Sequence, residues 1–297
     1  MKKRKVGAGQ VVLTLALGVY ALICLLPMLL VVVVSFSSDA SIAQKGFSFF
    51  PQEWSLKAWQ YVATFGRQLA VSYGVTVFIT VSSTVWGLLV MSLFAYTLSR
   101  KCFALRKYLS VYMLITMLFS GGQLSTYIVE TSMYGLKDNL LALILPGISA
   151  MNIIILRTYI QSNVPDSLIE SAKIDGAGEN RTFFTIVMPM MKPALASVGF
   201  MIAVNTWNEW QKAYLYITSD AKTPLQLLLI KIEKNIDYLL SNPDNIPADE
   251  YMQMMKNVPE ESGRMAVLIT ALGPIMIAYP FFQKYFVKGL TVGAVKG

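Results

Sequence analysis

The sequence has no histidine, only two cysteines and few charged residues, and each shortage excludes a class of function. Without imidazole there is no Ser-His-Asp arrangement and no histidine metal ligand. Cys24 lies in an apolar stretch and Cys102 in a basic one, so neither a disulfide framework nor a cysteine-rich metal site is expected. No G-x-x-x-x-G-K-S/T run occurs, which excludes a P-loop. We therefore expect no catalytic residues and no metal site, and the chain is predicted not to be an enzyme.

Charged side chains make up 14% of the 297 residues, against about 25% in a typical soluble protein. They leave six uncharged stretches, and roughly 20 apolar residues cross a bilayer core as a helix. The sequence therefore predicts an all-α, polytopic membrane protein with six transmembrane helices, of which the fourth and fifth are short. The predicted spans are Val11–Phe36, Leu69–Ser99, Tyr108–Val129, Asn139–Leu156, Pro193–Asn208 and Met265–Gln283.

The first span has an alternative interpretation as a cleaved signal peptide, because four basic residues precede it. Val11–Phe36 is longer than the apolar core of a typical signal peptide, and no small-residue cleavage site follows it. A retained transmembrane helix over residues 11–36 is therefore favoured.

Lysine and arginine are concentrated in segments that would share one side of the membrane. With the N-terminus inside, segments 1–10, 100–107, 157–193 and 284–297 hold 15 of the 25 basic residues and four of the 17 acidic ones. Cationic loops stay on the cytoplasmic side, so both termini are predicted to be cytoplasmic, with an extracytoplasmic segment over 37–68. The net charge of +8 is thus a topology signal. A nucleic-acid surface is the weaker interpretation, because the basic residues are divided among four short loops.

A charged stretch, PDSLIESAKIDGAGENRTFFTIVMPMMKPAL, separates the fourth and fifth predicted spans. It predicts a short helix over Asp166–Asp175, which Gly176 ends by taking a positive φ. A second short helix is predicted around Glu179–Met188. We call residues 165–188 the elbow. From periodicity alone, an ordinary charged loop is an equally good interpretation.

The residue order of the elbow resembles the EAA motif of ABC-importer permeases. Glu170-Ser171-Ala172 matches Glu-Ala-Ala with one small residue replaced by another, Asp175-Gly176-Ala177 supplies the glycine, and Ile186 and Pro189 complete an Ile-x-x-Pro pattern. The run NTWNEW and the tail FFQKYFVKGLTVGAVKG also look like the permeases of carbohydrate ABC importers. The resemblance covers nearly the whole chain.

This resemblance implies the architecture of a type I ABC importer permease, with a permease domain over 69–290 and a cytoplasmic tail over 291–297. In that family the elbow is the coupling helix, which docks on the ATP-binding subunit. The implied docking residues are Glu170, Ser171, Ala172, Asp175, Gly176 and Ala177. The C-terminal tail of the family can also reach the ATPase, which implicates Lys288–Gly297.

The implied function is that of a permease subunit in the inner (cytoplasmic) membrane, forming half of an ATP-driven pathway for a carbohydrate, in the first place an oligosaccharide. The implied partners are a second permease chain of different sequence, two ATP-binding subunits, an extracytoplasmic solute-binding protein, the carbohydrate and membrane lipid, with no nucleic acid. No cofactor is expected in this chain, since ATP and magnesium are bound by the partner ATPase.

Polar residues near the outer end of the fifth span are the candidates for the substrate pathway. They are Asn205, Asn208 and Glu209. An ionisable group in a span usually faces a cavity or a partner, because exposure to lipid is costly. The alternative is a structural role at the membrane interface beside Trp207 and Trp210. The acidic outer segment Ser219–Arg264 begins with an amphipathic piece, which could lie along the membrane or cap the cavity, and it has no metal-loop spacing.

Other classes of function remain open at this point. An ion-coupled secondary transporter normally needs carboxylates or broken helices at the membrane midplane, and apart from Glu209 the predicted spans lack these. A membrane scaffold without transport activity has no use for a docking elbow. An ABC permease for another solute, such as a peptide, shares the Glu-to-Gly motif.

Overall fold

Helices account for almost all the regular structure of the chain. The structure is a computed structural model that describes residues 8–241 and 258–294. In those ranges strand pairing is limited to an isolated antiparallel bridge between Ser37 and Trp54, which confirms the predicted all-α class. The helices are α1 (Ala8–Ser35), α2 (Asp39–Lys45), α3 (Lys57–Thr64), α4 (Gly66–Ser99), α5 (Arg106–Leu118), α6 (Gly122–Ile128), α7 (Leu141–Ile144), α8 (Ala150–Asn163), α9 (Asp166–Ile174), α10 (Glu179–Thr182), α11 (Met188–Met190), α12 (Lys192–Trp207), α13 (Gln211–Tyr216), α14 (Leu225–Ser241) and α15 (Glu261–Ala294).

Two helices among the described residues are long and apolar enough to cross a membrane unaided. They are Gly9–Ser35, which is most of α1, and α4. A third is added if α12 is counted together with Glu179–Met190, from which it is bent by 80°. The first two predicted spans are therefore continuous helices, while the count of six stays a prediction. The prediction that the third and fourth uncharged stretches each form one helix is wrong.

Glycine and proline explain both interruptions. α5 ends at Leu118, and α6 begins at Gly122, whose φ of 80° is favourable only for glycine. Gly121 and Gly122 thus lie where the third predicted span is interrupted. α7 and α8 are separated by residues 145–149, where Pro146 has no N–H to donate to a helical hydrogen bond.

Several predicted segments lie partly outside the described residues. These parts are residues 1–7 of the N-terminus, 242–257 of the outer segment and 295–297 of the tail. The sixth predicted span lies within α15, which continues to Ala294. The amphipathic piece of the outer segment forms α14, with buried side chains at Leu225, Leu229 and Ile236.

The chain divides into two units, of which the first combines residues up to Arg67 with Leu229–Gly273. In this unit the Asp39 carboxylate accepts the N–H and the hydroxyl of Ser262 at 3.1 and 3.0 Å, which ties α2 to the start of α15. Arg264 forms a 2.6 Å ion pair with Asp237 of α14.

The second unit combines Gln68–Leu228 with Pro274 and the residues after it. Its largest apolar core joins α4, α8, α9, α12 and the second half of the elbow. The fully or almost fully buried members of that core include Met91, Ala95, Leu98, Leu156, Ile160, Ile169, Phe183, Val187, Met191 and Val198. The elbow is therefore part of the packed unit and not a loose loop.

Candidate functional site

The first half of the elbow is a helix with a defined end. α9 runs from Asp166 to Ile174, and Gly176 follows it with a φ of 80°. The Ala177 N–H donates to the Ala172 carbonyl at 2.8 Å, and the Gly176 N–H donates to the Lys173 carbonyl at 3.0 Å. These two bonds satisfy carbonyls that the end of a helix leaves free, in the Schellman arrangement. The predicted helix and the positive φ at Gly176 are confirmed.

α9 has one face in the core and one at the surface. Ile169 and Ala172 are 1% and 8% exposed, and burying an isoleucine side chain contributes roughly 2 kcal/mol to the stability of the elbow. Of the other predicted docking residues, Glu170, Ser171, Asp175 and Gly176 are exposed and Ala177 is half-buried. Ala172 therefore packs into the core behind the exposed face of α9.

Ile174 is a further feature of this face that the sequence motif did not identify. It is 86% exposed, among the highest values of any large apolar side chain described. Isolated exposed apolar residues are common, but this one adjoins a run of exposed acidic and small residues. In the sequence, Ile174 does not lie on the helix face formed by Leu168, Ile169 and Ala172, and this could have indicated that its side chain is exposed.

Charged contacts hold both ends of the first half of the elbow. Asp166 pairs with Arg100 at 3.4 Å and with Lys101 at 3.1 Å. Glu179 pairs with Lys173 at 2.5 Å and accepts the Tyr96 hydroxyl at 2.6 Å. The Lys173 ammonium, and after it the Tyr96 hydroxyl, hold the pKa of Glu179 below its ordinary value.

The second half of the elbow is helical, as predicted, but it contains a π-helical turn. α10 is followed by the π turn Phe183–Val187 and then by α11. Phe183 is buried, and its ring lies 5.4 Å from the ring of Tyr96 and 4.9 Å from that of Phe184. Phe183 and Val187, at the two ends of this turn, are both buried in the core.

A cavity of about 190 Å³, with polar and apolar side chains in its wall, lies beside the C-terminal half of α12, and we call it the polar cavity. Asn205 and Glu209 line it, together with Thr206 and Lys212. Asn208 is not among its lining residues; its amide donates to the Val204 carbonyl at 2.9 Å and its oxygen accepts from Gln226 at 3.3 Å. The structure thus brings Asn205 and Glu209 together and sets Asn208 apart.

Glu209 also has a structural task. Its carboxylate accepts the N–H of Lys212 at 3.0 Å, which satisfies a free donor in the first turn of α13. One oxygen of Glu209 is therefore bonded to the backbone, while the side chain still borders the cavity.

The other polar residues of the cavity wall were missed by the sequence interpretation. They are Thr76 and Ser83 of α4, Ser149, and Asn152 of α8. They meet because the 145–149 bend lies against α4: a Cβ on Gly147 would be 2.7 Å from Ser83 Oγ. A Pro-Gly pair inside an apolar stretch was the available signal that the stretch bends.

Metal binding has little support in this part of the molecule. Within residues 8–241 and 258–294 there is no group of three or more His, Cys, Asp and Glu side chains that could hold an ion. The described chain offers instead a supported, exposed elbow and a polar cavity, which suit binding rather than covalent chemistry.

Several known proteins are similar to this chain. Residues 62–292 match the family described as binding-protein-dependent transport system inner membrane component. The polygalacturonan/rhamnogalacturonan transport system permease protein of Bacillus subtilis is 40% identical over 280 residues, which cover 94% of each chain. The arabinooligosaccharides transport system permease protein of Halalkalibacterium halodurans is 27% identical over 304 residues, which cover 100% of each.

A solved structure is similar in fold as well as in sequence. It is a crystal structure of a bacterial ABC transporter involved in the import of the acidic polysaccharide alginate. One chain of it matches with a TM-score of 0.76 and 28% identity, covering 96% of this chain and 99% of that chain.

Proposed function

We propose that the chain forms half of the membrane pathway of an ATP-driven oligosaccharide importer. The chain belongs to the family of inner membrane components of binding-protein-dependent transport systems. As a member of that family the chain is a membrane-embedded permease subunit and not itself an enzyme. The substrate class is supported by the relatives, which are named for polygalacturonan, rhamnogalacturonan and arabinooligosaccharides.

The geometry of the elbow is the observation that carries the coupling part of this proposal. A helix whose back is fixed in the core presents Glu170, Ile174, Asp175 and Gly176 to the outside. Among the described residues, other than Asp175 and Ala177, no atom lies within 4 Å of a Cβ built on Gly176, so the approach to the helix end is open. A surface with an apolar residue beside exposed carboxylates suits docking to another protein, here the ATP-binding subunit.

The polar cavity is the proposed contact of this chain with its substrate. Its wall carries amide, hydroxyl and charged groups, including Asn152, Asn205, Thr206 and Ser83. Such groups can exchange hydrogen bonds with the many hydroxyls of a sugar, which an apolar wall could not replace.

The remaining parts of the assembly are proposed from the same family. A second permease chain would complete the pathway, two ATP-binding subunits would bind ATP and magnesium, and an extracytoplasmic solute-binding protein would deliver the sugar. The chain would lie in the cytoplasmic membrane with both termini inside. Closure of the ATP-binding subunits would move the elbows and reopen the pathway outwards.

Reversal of one charge on the elbow tests the proposed docking. A tag on this chain is used to isolate the complex from its own cells, and the ATP-binding subunit recovered per permease chain is measured. Glu170→Lys should lower that recovery about tenfold, because it reverses a charge on the docking face. Glu260→Lys, an equally exposed glutamate in the other unit, is the matched control. Equal recovery of the ATP-binding subunit with both variants would show that the elbow is not the docking site.

A further inference from the structure

The inner end of α4 contacts the elbow on both sides of its first helix. Arg100 and Lys101, directly after α4, pair with Asp166 at the start of α9. Tyr96, one turn earlier, donates its hydroxyl to Glu179 at 2.6 Å and packs its ring against Phe183 at 5.4 Å. Tyr96 is 6% exposed, so this hydrogen bond lies at the edge of the core.

The elbow is not joined to α8 or to α12 by a continuous helix. On its N-terminal side, Val164 and Pro165 are extended and separate α8 from α9. On its C-terminal side, the chain bends by 80° between Glu179–Met190 and α12. Movement of the elbow can therefore reach α8 or α12 along the backbone only across a point where the helix is broken.

α4 has no such break. It is a single helix of 34 residues, and Thr76 and Ser83 on the same helix line the polar cavity. Tyr96 lies thirteen positions after Ser83, which at the rise of an α-helix is about 20 Å. One continuous helix therefore contacts the elbow near one end and the cavity further along.

We propose that the hydrogen bond from Tyr96 to Glu179 transmits movement of the elbow to α4, and through α4 to the cavity wall, so that Tyr96 and Glu179 are positioning residues for transport. This inference rests on the proposed function, because it requires an ATP-binding subunit that moves the elbow. The physical basis is a short bond to a carboxylate, which is stronger than a bond between neutral groups and fixes its partners closely.

The test measures how strongly ATP binding changes the cavity. A reporter cysteine is placed by Asn205→Cys in a background of Cys24→Ser and Cys102→Ser. The complex is isolated from its own cells by a tag on this chain. The rate of reaction with a small aqueous maleimide is measured without nucleotide and after trapping with ATP and vanadate. The ratio of the two rates reports the coupling.

Tyr96→Phe keeps the ring against Phe183 and removes only the hydroxyl, and it should abolish more than about half of the change on trapping. Glu179→Ala should abolish at least as much of the change, because it also removes the ion pair with Lys173. The double variant should be no worse than Glu179→Ala alone, because Tyr96 acts through Glu179. Glu179→Gln keeps an acceptor oxygen for Tyr96 and should retain the response. Tyr108→Phe, which removes a hydroxyl from a residue that is 72% exposed, is the matched control.

The outcomes separate this inference from the proposed function. No change on trapping in the unmodified complex would overturn alternating access itself. A normal change in both Tyr96→Phe and Glu179→Ala would overturn the transmission role and leave the proposed function standing. Loss of the ATP-binding subunit from these variants would also overturn it, since the bond would then only support docking.

Discussion

At the scale of single residues, substitutions of Gly176 allow the effect of backbone strain to be measured separately from the effect on docking. Its φ of 80° costs an L-residue about 1 kcal/mol. A Cβ on Gly176 has no contact within 4 Å in the described part of the chain beyond its two neighbours in sequence. Gly176→Ala and Gly176→Leu should therefore lower the free energy of unfolding equally, by about 1 kcal/mol, while Gly176→Asn, which tolerates this conformation, should lower it less. Thermal unfolding in detergent measures this order.

Docking should rank the same variants differently. The leucine side chain would occupy the open approach to the end of α9, so Gly176→Leu should reduce recovery of the ATP-binding subunit well below that of Gly176→Ala. Equal recovery of the subunit with alanine and leucine would place Gly176 outside the docking face, whatever the strain.

Glu179 makes the local stability of the elbow dependent on pH. The Lys173 ammonium, and secondly the Tyr96 hydroxyl, lower the pKa of Glu179 in the folded chain. A lowered folded pKa means that the stabilisation is complete above the unfolded pKa of about 4.3 and is lost as the pH falls through the folded pKa. Hydrogen exchange of the α9 and α10 amides, corrected for its intrinsic pH dependence, should therefore accelerate below about pH 4.3. Glu179→Gln should remove this acceleration. If the exchange still accelerates in that variant, another carboxylate causes the pH dependence.

The residues of the elbow illustrate what a sequence can specify. Helix α9, its end at Gly176 and the exposure of Glu170 follow from local signals, namely a proline, a charge pattern and an Asp-Gly pair. The Tyr96 contact with Glu179 joins residues 83 positions apart. Nothing local in either segment specifies that pairing, because it depends on how α4 packs against the elbow.

At the scale of elements, the same distinction explains the broken spans. The absence of charge in Asn139–Leu156 predicts a span, but it does not reveal that Pro146 and Gly147 interrupt the helix or that Gly147 lies against α4. The end of α12 at Trp207 likewise places Asn208 outside the cavity that Asn205 lines. Periodicity predicts which segments are apolar, whereas the packing of bends decides which polar groups meet.

Gly147 gives a direct test of that packing. A methyl group on Gly147 would be 2.7 Å from Ser83 Oγ, so Gly147→Ala should lower the free energy of unfolding by about 1–3 kcal/mol. Adding Ser83→Ala removes the clashing oxygen and should restore most of the loss in thermal unfolding. Gly74→Ala, in α4 with nothing within 4 Å of its Cβ, is the control and should be neutral or slightly stabilising. A failure of Ser83→Ala to compensate would mean that the bend does not contact α4 there.

Asp138 connects the loop before α7 to the loop after α13. Its carboxylate accepts the N–H groups of Thr218 and Ser219 at 3.0 and 2.9 Å and pairs with Lys222 at 2.9 Å. Lys222, followed by the two N–H groups, lowers the pKa of Asp138 well below its usual range. Asp138 also has a φ of 51°, which aspartate and asparagine tolerate better than alanine.

Substitutions at Asp138 should therefore follow a definite order. Asp138→Asn keeps an acceptor oxygen and the backbone preference but loses the ion pair, while Asp138→Ala loses all three. Hydrogen exchange at residues 216–222 should be fastest in the alanine variant, intermediate in the asparagine variant and slowest in the unmodified chain. Equal exchange in all three would show that the two loops are held together by other contacts.

At the scale of the whole molecule, the ion pairs of Asp166 constrain the topology independently of the charge distribution. Arg100 and Lys101 lie after the second span and Asp166 lies in the elbow, and they are 3.4 and 3.1 Å apart. The two segments must be on the same side of the membrane, so the chain between them crosses it an even number of times. If the third and fourth uncharged stretches each cross the membrane as a broken span, the chain crosses six times. If each of them enters and leaves on the same side, the chain crosses four times.

Tyr134 decides between these two topologies, because it lies between the two broken segments and is 68% exposed. In a chain without Cys24 and Cys102, a cysteine from Tyr134→Cys should react with a membrane-impermeant maleimide on intact cells, as the six-span prediction requires. Glu53→Cys should react likewise, because it follows the first span, and Asn180→Cys in the elbow should react only after permeabilisation. If Tyr134→Cys reacts only after permeabilisation while the other two behave as expected, the broken segments enter and leave on the cytoplasmic side and the chain crosses four times. If Asn180→Cys reacts in intact cells, the elbow is outside and cannot reach an ATPase, which would contradict the proposed function at its basis.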